Sequence, residues 1–313
     1  MFLSLFGAVE SGLMYAIMAL GVYLSFRILD FPDLTVDGSF VTGGAVAAVS
    51  IMNGISPIIA TLLGAIAGFI AGVCTGLLHT KGKISNLRTM GSSQISLLQE
   101  TTLESQIVNI WEKTGIDQII NGLFQSMGIE RVPTTWGILF FMIIVIIVIK
   151  LLIDYYLKTE FGLALRATGD NQRMIRSFSA NTDNLIIVGI GLANGLVALA
   201  GAIIAQSSGF ADVGMGIGMI IIGLASVIIG EALFGVKTIA RATLAVVFGA
   251  IVYRFVVTLA LRSKFLETGD MKLITAVLVI IALITPKIIQ SQREKKRRRE
   301  KQAQLEAGEF RNA

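Results

Sequence analysis

The residues of this 313-residue chain best placed to do chemistry are ionisable groups inside apolar runs, because a charge placed in lipid must be paired or put to use. Glu10 lies eight residues into the first apolar run, and Arg254 lies thirteen residues beyond Arg241 in a later one. At about 1.5 Å per residue both sit roughly 10–12 Å below the same membrane face. Their charges are opposite, so Glu10 and Arg254 are expected to form a buried ion pair, with a contact to a substrate carboxylate as the alternative for Arg254. A second group is Asp30, Asp33 and Asp37, next to Pro32 and Gly38. Three carboxylates here read equally as interfacial caps or as the entry to a Pro/Gly-broken helix beside a translocation path. On the second reading Asp33, Asp37 and Gly38 belong to that path, with Asn194 from a later span. Asn194 stands beside a Gly191-x-x-x-Gly195 pair and is also expected to hydrogen-bond between helices.

Catalysis finds little support. One histidine and one cysteine, far apart, leave no metal-ligand set and no Cys/His nucleophile. Residues 230–238 imitate a phosphate loop, but Val236 displaces the lysine and the segment closes an apolar run. Neither a nucleotide site, a catalytic residue nor a metal is therefore expected in this chain.

The elements that must position these residues are set by composition. With 54% hydrophobic and 15% charged residues and a mean hydropathy of +0.77, the chain exceeds the apolar surface a soluble domain can bury. An all-α, polytopic integral membrane protein is expected, with a transmembrane domain over 1–290 and no soluble domain. About eight spans are expected, some short or broken: 2–26, 40–52, 57–78, 136–153, 185–206, 217–234, 242–261 and 273–289. Gly64, Gly68, Gly72 and Gly76 recur every four residues on one helix face, the pattern of a close-packing seam. Residues 85–132 are amphipathic without a span-length apolar window and are expected outside the cytoplasm. Residues 291–313 form a basic tail in which 291–301 hold seven cations and two anions. Anionic lipid, rather than nucleic acid, is its expected partner.

Between two of the runs lies a basic stretch, 159–184, inside a loop at 155–184. Lys158, Arg166, Arg173 and Arg176 put it in the cytoplasm. Phe161, Leu165, Ile175 and Phe178 recur at helical spacing, so the stretch reads as an ordinary basic loop or as a short interfacial helix turning at Gly169-Asp170-Asn171. The phrase Gly162-x-Ala164-Leu165-Arg166-Ala167-x-Gly169-Asp170-Asn171, followed by a span with Gly191, Asn194, Gly195 and Gly201, resembles permease subunits of ATP-binding-cassette importers. The resemblance is to the branched-chain amino acid and ribose type, in its uncharacterised amino-acid-like branch.

That resemblance implies that Phe161, Gly162, Leu165, Arg166, Gly169, Asp170, Asn171 and Arg173 couple the chain to an ATPase. It implies two cytoplasmic ATPase subunits that hold the ATP, an extracytoplasmic solute-binding protein and a multi-pass location in the cell (inner or plasma) membrane. Because no internal repeat supplies a second half-pore, a homodimer is expected. The implied cargo is a small polar solute, an amino acid (aromatic among them) ahead of nucleosides and sugars. An ion-coupled secondary transporter is the alternative, though it calls for an inverted repeat and mid-membrane ionisable groups that are not evident. An intramembrane enzyme is a third class, disfavoured by the shortage of His, Cys and paired acids.

Counting spans exposes a parity conflict. Residues 79–83 count as cytoplasmic from the front, whereas 85–132 count as extracytoplasmic from the back. Similar permeases carry an extra apolar segment between a phrase like His79-Thr-Lys-Gly-Lys-Ile84 and one like Asn86-Leu-Arg88-Thr-Met-Gly91, and here the two abut. Loss of one span at Ile84–Ser85 is therefore expected, a loss that would impair transport.

Overall fold

A helix satisfies its backbone hydrogen bonds internally, so apolar runs of this length enter lipid as helices. In a computed structural model of the protein, the structure describes residues 2–81, 95–96, 125–127, 136–178 and 181–261, together with Val277 and Ile280. The helices are α1 (Phe2–Tyr23), α2 (Val36–Met52), α3 (Pro57–Thr80), α4 (Trp136–Lys158), α5 (Glu160–Ser177), α6 (Thr182–Ser208), α7 (Met219–Phe234) and α8 (Ile239–Leu261). A π-turn, Leu24–Ile28, ends α1, and a 3-10 turn, Val213–Gly216, precedes α7. The one pairing of extended residues among the described residues is two residues long, Ile95–Ser96 antiparallel to Phe210–Ala211.

Among the described residues six helices are long and apolar enough to cross a membrane, and α2 is apolar but shorter. These account for seven of the eight expected spans. The eighth, at 273–289, lies outside the described residues, as do the junction at Ile84–Ser85, nearly all of 85–132 and the tail at 291–313.

α1 and α6 form the centre. α1 is buried on every side from Leu13 to Leu24, and α6 is buried along most of its length. α3 lies along α6 through the four glycines, all buried. Gly68 meets Ala198 and the Asn194 carbonyl, Gly72 meets the Ile190 carbonyl, and Gly76 meets Ile187. Opposite them on α3, Ile59, Ile66 and Ile70 are exposed. Small residues on one face and large apolar ones on the other are what a helix between a protein neighbour and lipid requires.

The bundle has two distinct ends. At one, the Phe6 and Trp136 rings meet edge-on at 4.9 Å. At the other, Phe31 meets His79 at 4.6 Å, close to Thr80. Ile95 pairs with Ala211, just past the far end of α6. Thr80 and Ile95 thus stand at opposite ends of the bundle.

Candidate functional site

Two features stand out where ionisable groups gather, and one stretch of chain joins them. It begins where α1 loses its regular ladder. The Leu29 N–H bonds back to the Leu24 carbonyl at 3.0 Å, the Phe31 N–H to the Ser25 carbonyl at 2.9 Å, and Asp30 adopts φ 50°. Pro32 has no N–H to continue a helix. The chain stays unwound until α2 starts at Val36.

Within that unwound stretch Asp33 is fully buried. Its carboxylate accepts from the Thr35 N–H at 2.9 Å, the Thr35 hydroxyl at 2.6 Å and the Asn194 amide at 2.6 Å. Asn194, also fully buried, donates a second bond to the Ile190 carbonyl at 3.1 Å, while its own carbonyl oxygen has no partner. Two of the four residues named from sequence as candidates for a path, Asp33 and Asn194, are therefore brought together, 161 positions apart, with no exposed surface in this conformation. Here they pin the unwound stretch to α6.

Asp37 does something else. Its carboxylate accepts the N–H of Gly218 at 3.2 Å and of Ile220 at 2.8 Å, which caps the start of α7. Gly38 follows it inside α2, half-buried, its carbonyl taking the Thr42 hydroxyl at 2.8 Å. The start of α7 lies deep. α2 and α6 run alongside each other with Phe40 against Gly201, so Asp37 sits near the level of Ala198. From there α6 climbs about ten more residues, ~15 Å, to Ser208. The chain then turns at Gly209 (φ 74°) and descends again through the 3-10 turn to Gly218 (φ 86°). The segment between α6 and α7 thus re-enters the bundle instead of forming a simple loop at its end. The signal was the Gly214-x-Gly216-x-Gly218 spacing.

At the other end of α7, Arg27 of the π-turn grips Glu231 with two bonds of 2.8 Å. Glu231 lies twelve residues past Met219, so α7 begins ~18 Å above this pair, over half of a ~30 Å hydrocarbon layer. Gly235 then breaks the helix at φ 72°.

The second feature is α5. Thr159 caps it by accepting the Gly162 N–H at 3.2 Å, and Asn171, at φ −158° and ψ 88°, splits it into two helices. Asn171 then caps the second piece, taking the Met174 N–H at 3.1 Å. Sequence put this turn at 169–171; the structure bends at Asn171, while Gly169 stays helical and rests on the Ile28 carbonyl. Gly162 and Leu165 are buried and Arg166 half-buried, whereas Phe161, Asp170, Asn171 and Arg173 are exposed. Leu163, Met174 and Phe178 are exposed as well, an apolar and basic surface that no described residue covers. Arg176 closes α5 onto α6 through Thr182 at 2.8 Å and Asp183 at 2.7 Å. A cavity of about 210 Å³ separates α5 from Phe31 and His79.

The cations divide sharply between the ends. Arg27, Lys81, Lys158, Arg166, Arg173, Arg176, Lys237 and Arg241 all lie at the α5 end, while the described loops at the opposite end hold Asp212 and no Lys or Arg.

Two further charged sites lie within the spans. α1 and α8 run antiparallel with Gly12 against Ile251, which brings Glu10 and Arg254, both half-buried, to one level. Arg254 stacks 4.1 Å from the Tyr15 ring centre. The other site went unseen in the sequence. Lys150 pairs with Asp154 one turn on, and buried Asp154 also takes the Thr243 hydroxyl at 2.6 Å, tying α4 to α8. Among the described residues no three His, Cys, Asp or Glu side chains cluster as metal ligands would.

Residues 4–284 match the family described as branched-chain amino acid transport system, permease component. The chain is 39% identical over 274 residues to a tyrosine transport system permease protein of Clostridioides difficile, covering 87% of this chain and 88% of the relative. It is 30% identical over 283 residues to an uncharacterised protein of Rickettsia prowazekii, covering 90% and 96%. An autoinducer 2 import system permease protein of Escherichia coli is 30% identical over 158 residues, covering 50% of this chain and 42% of the relative. No solved structure matches.

Proposed function

The chain belongs to the branched-chain amino acid transport system permease family, a multi-pass component of the cell membrane, and on that premise we propose that it imports an amino acid with ATP hydrolysed on a separate subunit. The observation that carries this reading is α5. It is a capped, bent helix pair at the cation-rich end, with an apolar and basic face that none of the described residues covers. The positive-inside bias makes that end cytoplasmic, so α5 faces the compartment that holds ATP. Arg173 and Asp170 on the exposed side, with Phe161, offer charge and apolar area to a docking partner. Gly162, Leu165, Arg166 and Gly169 fix the helix to the bundle.

The cargo is read as an amino acid, tyrosine among them, by likeness to the Clostridioides relative. A solute-binding protein delivers it at the opposite end, a second copy of the chain completes the pore, and the basic tail at 291–313 meets anionic lipid. The ATP belongs to the partner, with no cofactor in this chain. Asp33, Asp37, Gly38 and Asn194 flank the path at the break between α1 and α2. Glu10 and Arg254 pair between α1 and α8, where an unpartnered arginine is costly.

The test is a joint replacement of the exposed Phe161, Asp170 and Arg173 by alanine in the complex isolated from membranes. Uptake of labelled amino acid should fall at least tenfold while the chain still inserts and the ATPase still hydrolyses. Undiminished uptake, or labelling of α5 from outside intact cells, would overturn the reading.

A further inference from the structure

α7 is held at both ends by one short stretch of chain. Arg27 grips Glu231 near its end, and Asp37 caps its start, ten residues further along the same stretch. Each end of α7 is also a glycine at positive φ, Gly218 at 86° and Gly235 at 72°. Such residues turn the chain at little steric strain, so α7 is a rigid rod between two swivels. α5 reaches the 27–37 stretch through Gly169, which sits on the Ile28 carbonyl with no room for a side chain. The stretch itself is a π-turn followed by unwound backbone with Asp30 at φ 50°, a form that lengthens or shortens more readily than a continuous helix.

We infer that Asp37 is the positioning residue that hands movement of α5 to α7, so that α7 swings as the gate of the path. The inference rests on the ATP-driven reading above. Its physical basis is specific. The Asp37 carboxylate holds two backbone N–H groups that have no helical partner of their own, at a half-buried position deep in the layer. A pull on the 27–37 stretch is therefore passed to the start of α7 through two short bonds rather than lost in side-chain play. Asn194, by holding Asp33, fixes the middle of the stretch against α6. Movement at Ile28 then turns about Asp33 and emerges at Asp37.

The test uses the complex of this chain with its co-isolated ATPase subunits in nanodiscs. Cys74, which is exposed, is replaced by serine, and one environment-sensitive fluorophore is placed on Ile221→Cys. Ile221 lies in the first turn of α7 and is 49% exposed. Two signals are read: ATP hydrolysis, and the emission shift on adding ATP with orthovanadate. Asp37→Ala should shrink the shift at least threefold while hydrolysis stays within twofold of the parent. Asp37→Asn keeps one carbonyl acceptor and should give a shift between the two. A shift of parental size in Asp37→Ala overturns the inference. If that variant yields no intact complex, Asp37→Asn decides, a reduced shift supporting the inference and a full one overturning it. Absence of hydrolysis in the parent, before Asp37 is touched, sinks the ATP-driven reading and the inference with it.

Discussion

The α3–α6 seam and the junction of 27–37 with α7 cross the same depth of membrane by opposite means. At the seam, glycines spaced four apart bring two unbroken helices so close that backbone meets backbone, and no charge is present. At the junction the helices are interrupted, backbone N–H groups are left without helical partners, and carboxylates take their place. A seam of this kind resists sliding, because every side-chain atom added to it collides with backbone. The junction is held by a few polar bonds with swivels beside them and can exist in more than one arrangement. The contrast makes the seam the frame and the junction the moving part.

The largest effect should come from damaging the frame. A β-carbon on Gly68 would fall on Ala198 and within 2.8 Å of the Asn194 carbonyl oxygen. Gly68→Ala should therefore cost about 1–3 kcal/mol of stability, and Gly68→Leu should abolish recovery of folded protein. Gly7, with nothing within 4 Å, supplies the control, and Gly7→Ala should leave the melting temperature in detergent almost unchanged. If Gly68→Leu folds normally, the seam is not the frame.

Next in size is the anchor of the junction. Asn194→Leu strips the fully buried Asp33 of its link to α6 and should cost about 2–3 kcal/mol, read as a lowered denaturation midpoint. Asp33→Asn with Asn194 intact should cost less, since no charge is then left buried. An equal loss in both would mean that the charge is immaterial there.

Pairing of Glu10 with Arg254 would give a tie of intermediate strength between α1 and α8. Glu10→Gln and Arg254→Gln should each destabilise, and the double change should cost less than the sum by about 1 kcal/mol. Strict additivity would separate the two residues and leave Arg254 to its contact with Tyr15.

The smallest effect on stability should appear at Arg27 and Glu231. Arg27 is 59% exposed in its side chain, so breaking the pair should cost no more than about 1 kcal/mol. Arg27→Gln should nonetheless lower the ratio of uptake to ATP hydrolysis, which sets this junction apart from the seam.

The frame was legible in the sequence because its cause is local. Four glycines at a helical period mark a face, and long apolar runs mark spans, whatever the rest of the chain does. α5 was legible for the same reason, as a short amphipathic pattern with a turn. The junction was harder. Asp33 and Asp37 attract notice near Pro32, but the partners of Asp37 are backbone N–H groups 181 and 183 positions away, and a backbone donor leaves no mark in a sequence. Lys150 and Asp154 escaped because a one-turn pair neutralises itself inside an otherwise apolar run. The pairing of Arg27 with Glu231 required knowing that α1 and α7 run side by side, which only the fold supplies.

That α5 is the docking point for an ATPase can be tested directly by photo-crosslinking in intact membranes. A photoreactive residue at Arg173, on the exposed face of α5, is compared with one at Phe210, exposed at the opposite end. The expected result is a crosslinked ATP-hydrolysing subunit from Arg173 and none from Phe210. No such adduct from Arg173, or the same adduct from both positions, would contradict the central claim.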